Sequence, residues 1–522
     1  MSHPLLNRLA AGCLGFAFLA TAARAEPVTL TTNDGTYSVT GELAEVTEDS
    51  FVIDSNLGVV TILRDTVSCV GADCPEGSAP AAVVNIAGDR ALGIGLLPIL
   101  LRNYAGQQGG EMTMLETLDG GLLAELIGSG SGEASAIKIM PTASSDGISA
   151  LLEGAAEMAV SDRRALTREV RAAKSLDLGD LHTPALEQII AFDGLVFLTH
   201  PSNSVRSITV ADAASIFAGQ ITNWSDLGGL NGPITLYTST PDLGSAEVLE
   251  SLVMRPNNLE VTPTVKLLGS DDLVAEAVAK DPTGIGYARI GNEGPARPVA
   301  IRGTCGVEAL PNPFTVKTEE YPLTRQLYLY RTQKPMPDYA QGFLDFLRSD
   351  GAQVDVVDAG FVDQAIITEQ PDQQTLRLAA AMLVGTDPAL QDQRRSMADS
   401  LASARHLSST FRFETGTDKL NARALIDLDR LGALLSDPAY SDKEVLFLGF
   451  TDTVGDNALN RELSQERAEQ VISALLQAYP GLADKVRLTP TGYGELMSLS
   501  CNDTDADRAI NRRVEIWVRD DA

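Results

Sequence analysis

Apolar positions change their period several times along the chain, and each change marks a new part. Val445 to Phe450 is an unbroken apolar run, the pattern of a buried strand, with Thr451-Asp452 at its end. Asn460 to Ser464 then opens a helix, with Leu463, Val471, Leu475 and Leu476 recurring at helical spacing. Upstream, between residues 82 and 369, short apolar runs alternate with helical periods. Val83 to Ala87 predicts a strand ending at Gly88, and Leu92 to Tyr104 a helix despite Pro98. Ile137 to Met140 predicts a strand, Ser144-Ser145-Asp146-Gly147 a polar turn, and Ile148 to Gly154 a helix. Met158 to Val160 leads into Ser161-Asp162-Arg163. Such alternation is the signature of an α/β domain. Near the start, residues 26–77 read as a small β-rich unit. Its strands are Thr36–Val39, Ser50–Ile53 and Val59–Leu63, with turns at Asn33-Asp34-Gly35 and Asn56-Leu57-Gly58. Residues 370–407 are polar, with Leu376, Leu378, Leu383, Leu390, Met397 and Leu401 at loosely helical intervals interrupted by Pro371 and Pro388. They predict a helical linker.

Composition narrows what these parts can do. A chain of 522 residues holds two to four domains, and 44% hydrophobic content supplies their cores. The net charge of −30 excludes nucleic acid as a partner, because phosphate neutralisation needs clustered Lys and Arg. It also requires that any bound anion be captured by local groups against the overall field. His3, His182, His200 and His406 are scattered without metal-ligand spacing, so no metal, cofactor or His-based catalysis is expected. Residues 1–25 read as a secretory signal: Arg8, the apolar core Leu9–Leu19 and the small-residue site Ala23-Arg24-Ala25. A lipoprotein reading at Cys13 has too short an apolar run before it. No later segment approaches the roughly 20 apolar residues of a membrane span. The mature chain is expected in the periplasm.

In that oxidising compartment Cys69 and Cys74, beside a turn, are expected to form a disulfide. Cys305 and Cys501 fall in different domains and are expected to be free thiols.

Three stretches carry candidate chemistry. Asp452 and Arg467 lie 15 residues apart, yet a strand-loop-helix turn brings them to one rim. The pair suits a zwitterion, carboxylate to ammonium and guanidinium fork to carboxylate, or else it is an ordinary surface ion pair. Ser144 and Ser161 stand where strands feed helix N-termini. That is a place for an anion, or merely for N-caps. Gly128-Ser129-Gly130-Ser131-Gly132 lacks the Gly-Lys-Ser/Thr ending of a nucleotide loop and reads as a turn.

Motifs in order between residues 408 and 520 resemble the OmpA-like peptidoglycan-binding domain. They are Phe411-Arg412-Phe413, Thr451-Asp452, Gly455, Asn460-x-x-Leu463-Ser464-x-x-Arg467-Ala468, Gly492-Tyr493-Gly494-Glu495 and Asn511-Arg512-Arg513-Val514-Glu515-Ile516. The resemblance implies an α+β domain in which Asp452 and Arg467 grip the diaminopimelate of the wall stem peptide, with Asn460 and Arg512 as further pocket residues. Asp507 stands where the family has Gly, and Ser498 where Pro is common.

Ala191-Phe192-Asp193-Gly194-Leu195, Phe217-Ala218-Gly219-Gln220-Ile221-Thr222-Asn223-Trp224, Ser144 to Asp162 and Lys317 to Leu323 resemble the periplasmic phosphate-binding proteins of ABC importers. The resemblance covers residues 82–369 and implies two α/β lobes with the ligand in the cleft between them. Ser144 and Asp162 match its phosphate contacts. Other positions depart. Asp89-Arg90-Ala91 replaces the Ser and Thr after the first strand, and Ser239 replaces the family Arg. Leu243-Gly244-Ser245 replaces Ser-Gly-Thr. Arg90 or Arg163 is then the nearest substitute for the lost cation, and Ser245 is the surviving hydroxyl.

The expectation is therefore a multidomain α/β, non-enzymatic envelope protein. A small β unit precedes a two-lobed solute-binding domain, a linker and an OmpA-like wall anchor. Its partners are peptidoglycan, a small anion such as phosphate, and an ABC permease or envelope protein. The rival reading is a structural adaptor whose cleft has lost its ligand.

Overall fold

The computed structural model describes residues 27–520 apart from 33–36, 48–49, 56–57, 71–73, 76–81, 118–119, 128–134, 242–243, 384–387, 414–419 and 421. The signal segment, the Asn33-Asp34-Gly35 turn and the Gly128–Gly132 turn lie at least partly outside the described residues.

The chain divides into two compact units, Met1–Ala82 and Val83–Ala522. In the first, the strands Val28–Thr32, Ser38–Val46, Ser50–Ser55, Gly58–Leu63 and Val67–Val70 form one five-stranded sheet. All its pairings are antiparallel, and Val28, Leu30, Phe51 and Ile53 are its buried centre. Cys69 and Cys74 are joined, as expected, with Cα atoms 5.7 Å apart. Below about 60 residues a single core is marginal, so a covalent staple suits this unit.

The second unit holds the α/β lobes and the C-terminal domain. One 13-residue strand, Glu187–Thr199, runs through both lobes and is buried along its whole length. Its first half pairs with Thr324–Arg331, and its second half, from Leu195, with Gly284–Arg289. On the first lobe the sheet continues through Met158–Ser161 to Ala82–Asp89. On the second it continues through Thr235–Ser239 to Lys266–Leu268. Burial on both faces explains the near-continuous apolar character of these strands. The helix Leu97–Gln107 is preceded by a wider turn over Leu92–Leu96, and Pro98 falls in its first turn, where a missing N–H costs nothing.

The C-terminal domain is a four-stranded sheet in the order Arg405–Arg412, Arg513–Asp520, Lys443–Phe450, Arg487–Gly492. Val445 and Phe447 face the helices Ala422–Ser436 and Asn457–Ala478. Leu446, Leu448 and Phe450 face the other way, with Trp517, toward Ala381, Met397 and Leu401. The stretch 370–407 thus supplies two helices, Pro371–Leu383 and Pro388–Leu401, that cover the second face of this sheet. Each proline opens a helix rather than interrupting one, because Pro is preorganised for the first helical position.

This domain and the lobes meet through a buried charged cluster. Arg377 ion-pairs with Glu320 of the lobes and, at 3.2 Å, with Glu369. His406 stacks on Trp517 at 4.5 Å, takes the edge of Phe314 at 4.9 Å, and lies 3.0 Å from Glu369 Oε2. Arg412 donates to the Thr318 carbonyl at 2.6 Å. The expectation of free thiols at Cys305 and Cys501 is overturned here. The two are disulfide-bonded, Cα–Cα 5.5 Å, across 196 residues. Separate domains had argued against the pairing, and domain docking supplies it.

Candidate functional sites

The C-terminal site is built where the strand Lys443–Phe450 ends and the helix Asn457–Ala478 begins. Gly449 makes the approach of that helix feasible: a Cβ there would lie 1.9 Å from the Ser464 carbonyl oxygen. Asp456 caps the helix by accepting from the amides of Ala458 and Leu459. Asn460 donates to the carbonyls of Asp452 (3.4 Å) and Val454 (3.3 Å), shaping the loop between strand and helix. Within that loop, Asp452 Oδ1 accepts from the Val454 amide at 3.0 Å, and Oδ2 accepts from Arg512 Nη1 at 2.7 Å. Asn502 Oδ1 accepts from the Thr453 amide.

Arg467 is 3% exposed, and its guanidinium lies 5.2 Å from the centre of the Phe413 ring. Its Nε and Nη1 are buried and lack a hydrogen-bond partner among the described residues. Burial and the nearby Arg512 charge push its pKa below the ordinary arginine value, and Asp452 pulls the other way. The direct ion pair of Asp452 is therefore with Arg512. Two guanidiniums and one carboxylate stand together, with one guanidinium unsatisfied.

Asp507, where the family has Gly, closes a capping box with Thr504 at the start of the short helix Asp505–Asn511. Asn511, in turn, donates to Asn502 Oδ1 and the Ser500 carbonyl. This chain of contacts explains how the loop keeps its shape with Asp507 in place.

The second site lies at strand ends between the lobes, the position where open α/β sheets take ligands. Asp89 ends the strand Ala82–Asp89, Asp162 follows Met158–Ser161, and Ser239 and Arg289 end the strands of the second lobe. The helix Ser144–Glu153 sits so close over Gly88 that a Cβ on Gly147 would lie 2.4 Å from the Gly88 Cα. Ser144 Oγ donates to Asp162 Oδ1 at 2.5 Å and accepts from the Asp162 amide at 3.0 Å.

The cation on the cleft floor comes from far along the chain. Arg325, 7% exposed, donates to Asp162 Oδ2 at 2.8 Å and to Asp193 Oδ2 at 3.0 Å. Burial opposes its charge, but Asp193, Asp162 and Asp89 hold its pKa above the ordinary value. Spacing gave no sign of Arg325, because a β-strand pairing 132 residues apart brings it beside Asp193.

Most of the other expected anion-binding groups are otherwise engaged. Arg163 forms a two-bond ion pair with Glu169, at 2.8 and 2.9 Å. Arg90 lines the cleft. Ser245 is 1% exposed and donates to Asp271 Oδ1 at 2.6 Å, within a chain that links Tyr287, Ser239 and Ser245. The Gly147 amide donates to the Ala143 carbonyl. Ser161 bonds Arg163, while the next helix begins only at Thr167. The expected helix start near Ser161 is therefore absent. Residues Arg163-Arg164-Ala165-Leu166 continue outside any helix or strand, held by Arg163–Glu169 and Arg164–Glu187.

Two lobes hinged on a shared strand, with a ligand-sized cleft at the strand ends, define a periplasmic-binding-protein architecture, here docked to a wall-type domain. The PBP superfamily domain model matches residues 78–351, just over half of the chain, and the OmpA family model matches residues 412–512. The chain belongs to the PBP superfamily and carries an OmpA-family domain. It is 24% identical over 231 residues to the phosphate-binding protein PstS of Borreliella burgdorferi, covering 42% of this chain and 76% of that one. It is 43% identical over 79 residues to outer membrane porin F of Pseudomonas fluorescens, covering 15% of this chain and 23% of the porin. An ABC-type phosphate transport receptor from Vibrio cholerae aligns over 54% of this chain and 99% of its own, at 20% identity and a TM-score of 0.42.

Proposed function

We propose that this chain is an exported, peptidoglycan-anchored solute-binding protein. Both families to which it belongs are binding or structural domain families rather than enzymes. The observation that carries the wall-binding reading is Arg467, a buried guanidinium with two unpartnered donors beside the Asp452–Arg512 pair. A buried charge left unpaired costs several kcal/mol unless a ligand completes it. The carboxylate of diaminopimelate completes Arg467, and Asp452 takes its ammonium while Arg512 and Asn460 hold the loop. Sedimentation of the purified chain with diaminopimelate-containing sacculi tests this directly. Co-sedimentation is expected, and sedimentation unchanged in both Asp452→Ala and Arg467→Ala refutes it.

The relatives named for phosphate suggest an oxyanion for the cleft, but the local charges argue for a different solute. Asp162 and Asp193 already occupy Arg325, and Asp89 and Glu247 stand nearby. Phosphate is therefore bound weakly, above micromolar Kd, or not at all. The native solute carries less negative charge or a cationic group.

A further inference from the structure

We propose that the seam between the lobes and the wall domain holds a second ligand site, one that takes a small amphipathic amine, an ammonium head on an apolar body. The site shares no lining residue with the cleft cavity and does not include Asp452 or Arg467, so it stands apart from the reading of either.

A cavity of about 500 Å³ lies in this seam, within the size range of pockets that enclose small organic molecules. Three separate segments wall it: 305–320 of the lobes, 369–381 with the first covering helix, and 496–499 of the wall domain. Much of the lining is apolar. Ala381, Leu496 and Met497 belong to the core layer on the second face of the sheet. Leu310 and Leu376 line the cavity too, yet both remain exposed, Leu376 to 62%. An apolar body seated there removes that area from water. It touches lobes, covering helix and wall domain at once, so its binding favours their docked state.

The polar part of the lining sets the charge of the head. Glu308, Glu320 and Glu369 line the cavity, and Arg377 is the one cation among the lining residues. Glu308 accepts from Ser207 Oγ at 2.5 Å, and Glu369 accepts from Arg377 Nε at 3.2 Å with His406 on its other oxygen. Behind Arg377, Glu515 pairs with Arg513 at 2.7 Å and lies 3.7 Å from Arg377 Nη1. Burial opposes the charge of Arg377, but Glu320, Glu369 and Glu515 outweigh it and hold its pKa above the ordinary value. An independent feature points to a ligand. Glu320 is 6% exposed, and while its Oε2 ion-pairs with Arg377, its Oε1 is buried without a hydrogen-bond partner among the described residues. A buried carboxylate oxygen left unpartnered is costly, and a donor from a ligand removes the cost. An ammonium supplies that donor with a positive charge, whereas a carboxylate head would meet three acids.

The test titrates octylamine, with octanoate and octanol as its counterparts, into the full-length protein, followed by ligand-observed magnetic resonance and thermal melting. One saturable site is expected for octylamine, with a rise in melting temperature, and octanoate should bind on the order of tenfold more weakly or worse. Leu376→Ser, at an exposed position, should keep the fold and weaken octylamine severalfold. Glu320→Gln should weaken it on the order of tenfold. Asp89→Asn, in the cleft, should leave it unchanged. The proposal is overturned if octylamine has no saturable site, or if octanoate or octanol binds as tightly. It is equally overturned if Leu376→Ser leaves the affinity unchanged, a result that decides even where Glu320→Gln fails to fold. Octylamine binding abolished by Asp89→Asn would also overturn it, by placing the amine in the cleft, and would support a cationic solute there.

Discussion

Replacing Arg467 by Met separates a binding role from a structural one. The side chain is 3% exposed, and Met retains most of the apolar stem that packs beside Phe413. What it loses in the free protein is the cation–π contact at 5.2 Å, worth about 0.5–2 kcal/mol. What it gains is release from an incompletely partnered buried charge, whose penalty is of similar size or larger. The fold should therefore melt within a few degrees of the parent, or higher. Binding should behave differently. Nε and Nη1 are two donors without partners, and a hydrogen bond to a charged group contributes about 1.5–3 kcal/mol. Losing both removes about 3–6 kcal/mol, or roughly 10²- to 10⁴-fold in affinity. Arg512→Met is the contrasting variant. It leaves the Asp452 carboxylate without its 2.7 Å ion pair, so it should lower the melting temperature as well as binding. The assays are sacculus sedimentation with diaminopimelate as competitor and thermal melting of the same preparations. The reasoning fails if Arg467→Met binds like the parent. It fails equally if its loss of binding merely tracks a fall in melting temperature.

Three further outcomes are expected. Thiol labelling of the unfolded, unreduced chain should modify none of Cys69, Cys74, Cys305 and Cys501, and labelling of the last two would break the covalent link between lobes and wall domain. Glu515 is fully buried; burial raises its pKa, but Arg513, His406 and Arg377 outweigh that and pull it down to about 2 from 4.5. A depressed carboxylate stabilises the fold above its unfolded pKa and loses that contribution as pH falls through the folded one. Acid titration of melting temperature should thus show a steep loss between pH ~4.5 and ~2, and Glu515→Gln should flatten that slope at the cost of lower stability near neutral pH. Calorimetry against phosphate should give a Kd above micromolar; submicromolar binding that disappears in Asp162→Ala would mean that Arg325 serves phosphate despite its two carboxylate partners.

Much of the architecture was legible in order along the chain. The α/β alternation, the buried strand Val445–Phe450, the helix expected from Asn460, which in fact begins at Asn457, and the Cys69–Cys74 staple all depend on neighbours within a few residues, where periodicity and turn chemistry act. The doubled burial of Val445–Phe450 was visible as an unbroken apolar run, yet nothing local said that residues 371–401 supply the second cover. Helical spacing in that stretch was too loose to name its partner.

The cation of the cleft, the nearness of Glu247 to Asp89 and the second disulfide were decided only by tertiary structure. Arg325 reaches Asp193 by strand pairing, Glu247 reaches Asp89 across two lobes, and Cys305 reaches Cys501 across a domain interface. Each contact joins residues more than 100 positions apart, and no period or motif encodes such a distance. The sequence alone determined which residue types were available and where strands and helices would begin. The docking of buried faces, driven by the apolar area they remove from water, determined which charges had to share a site.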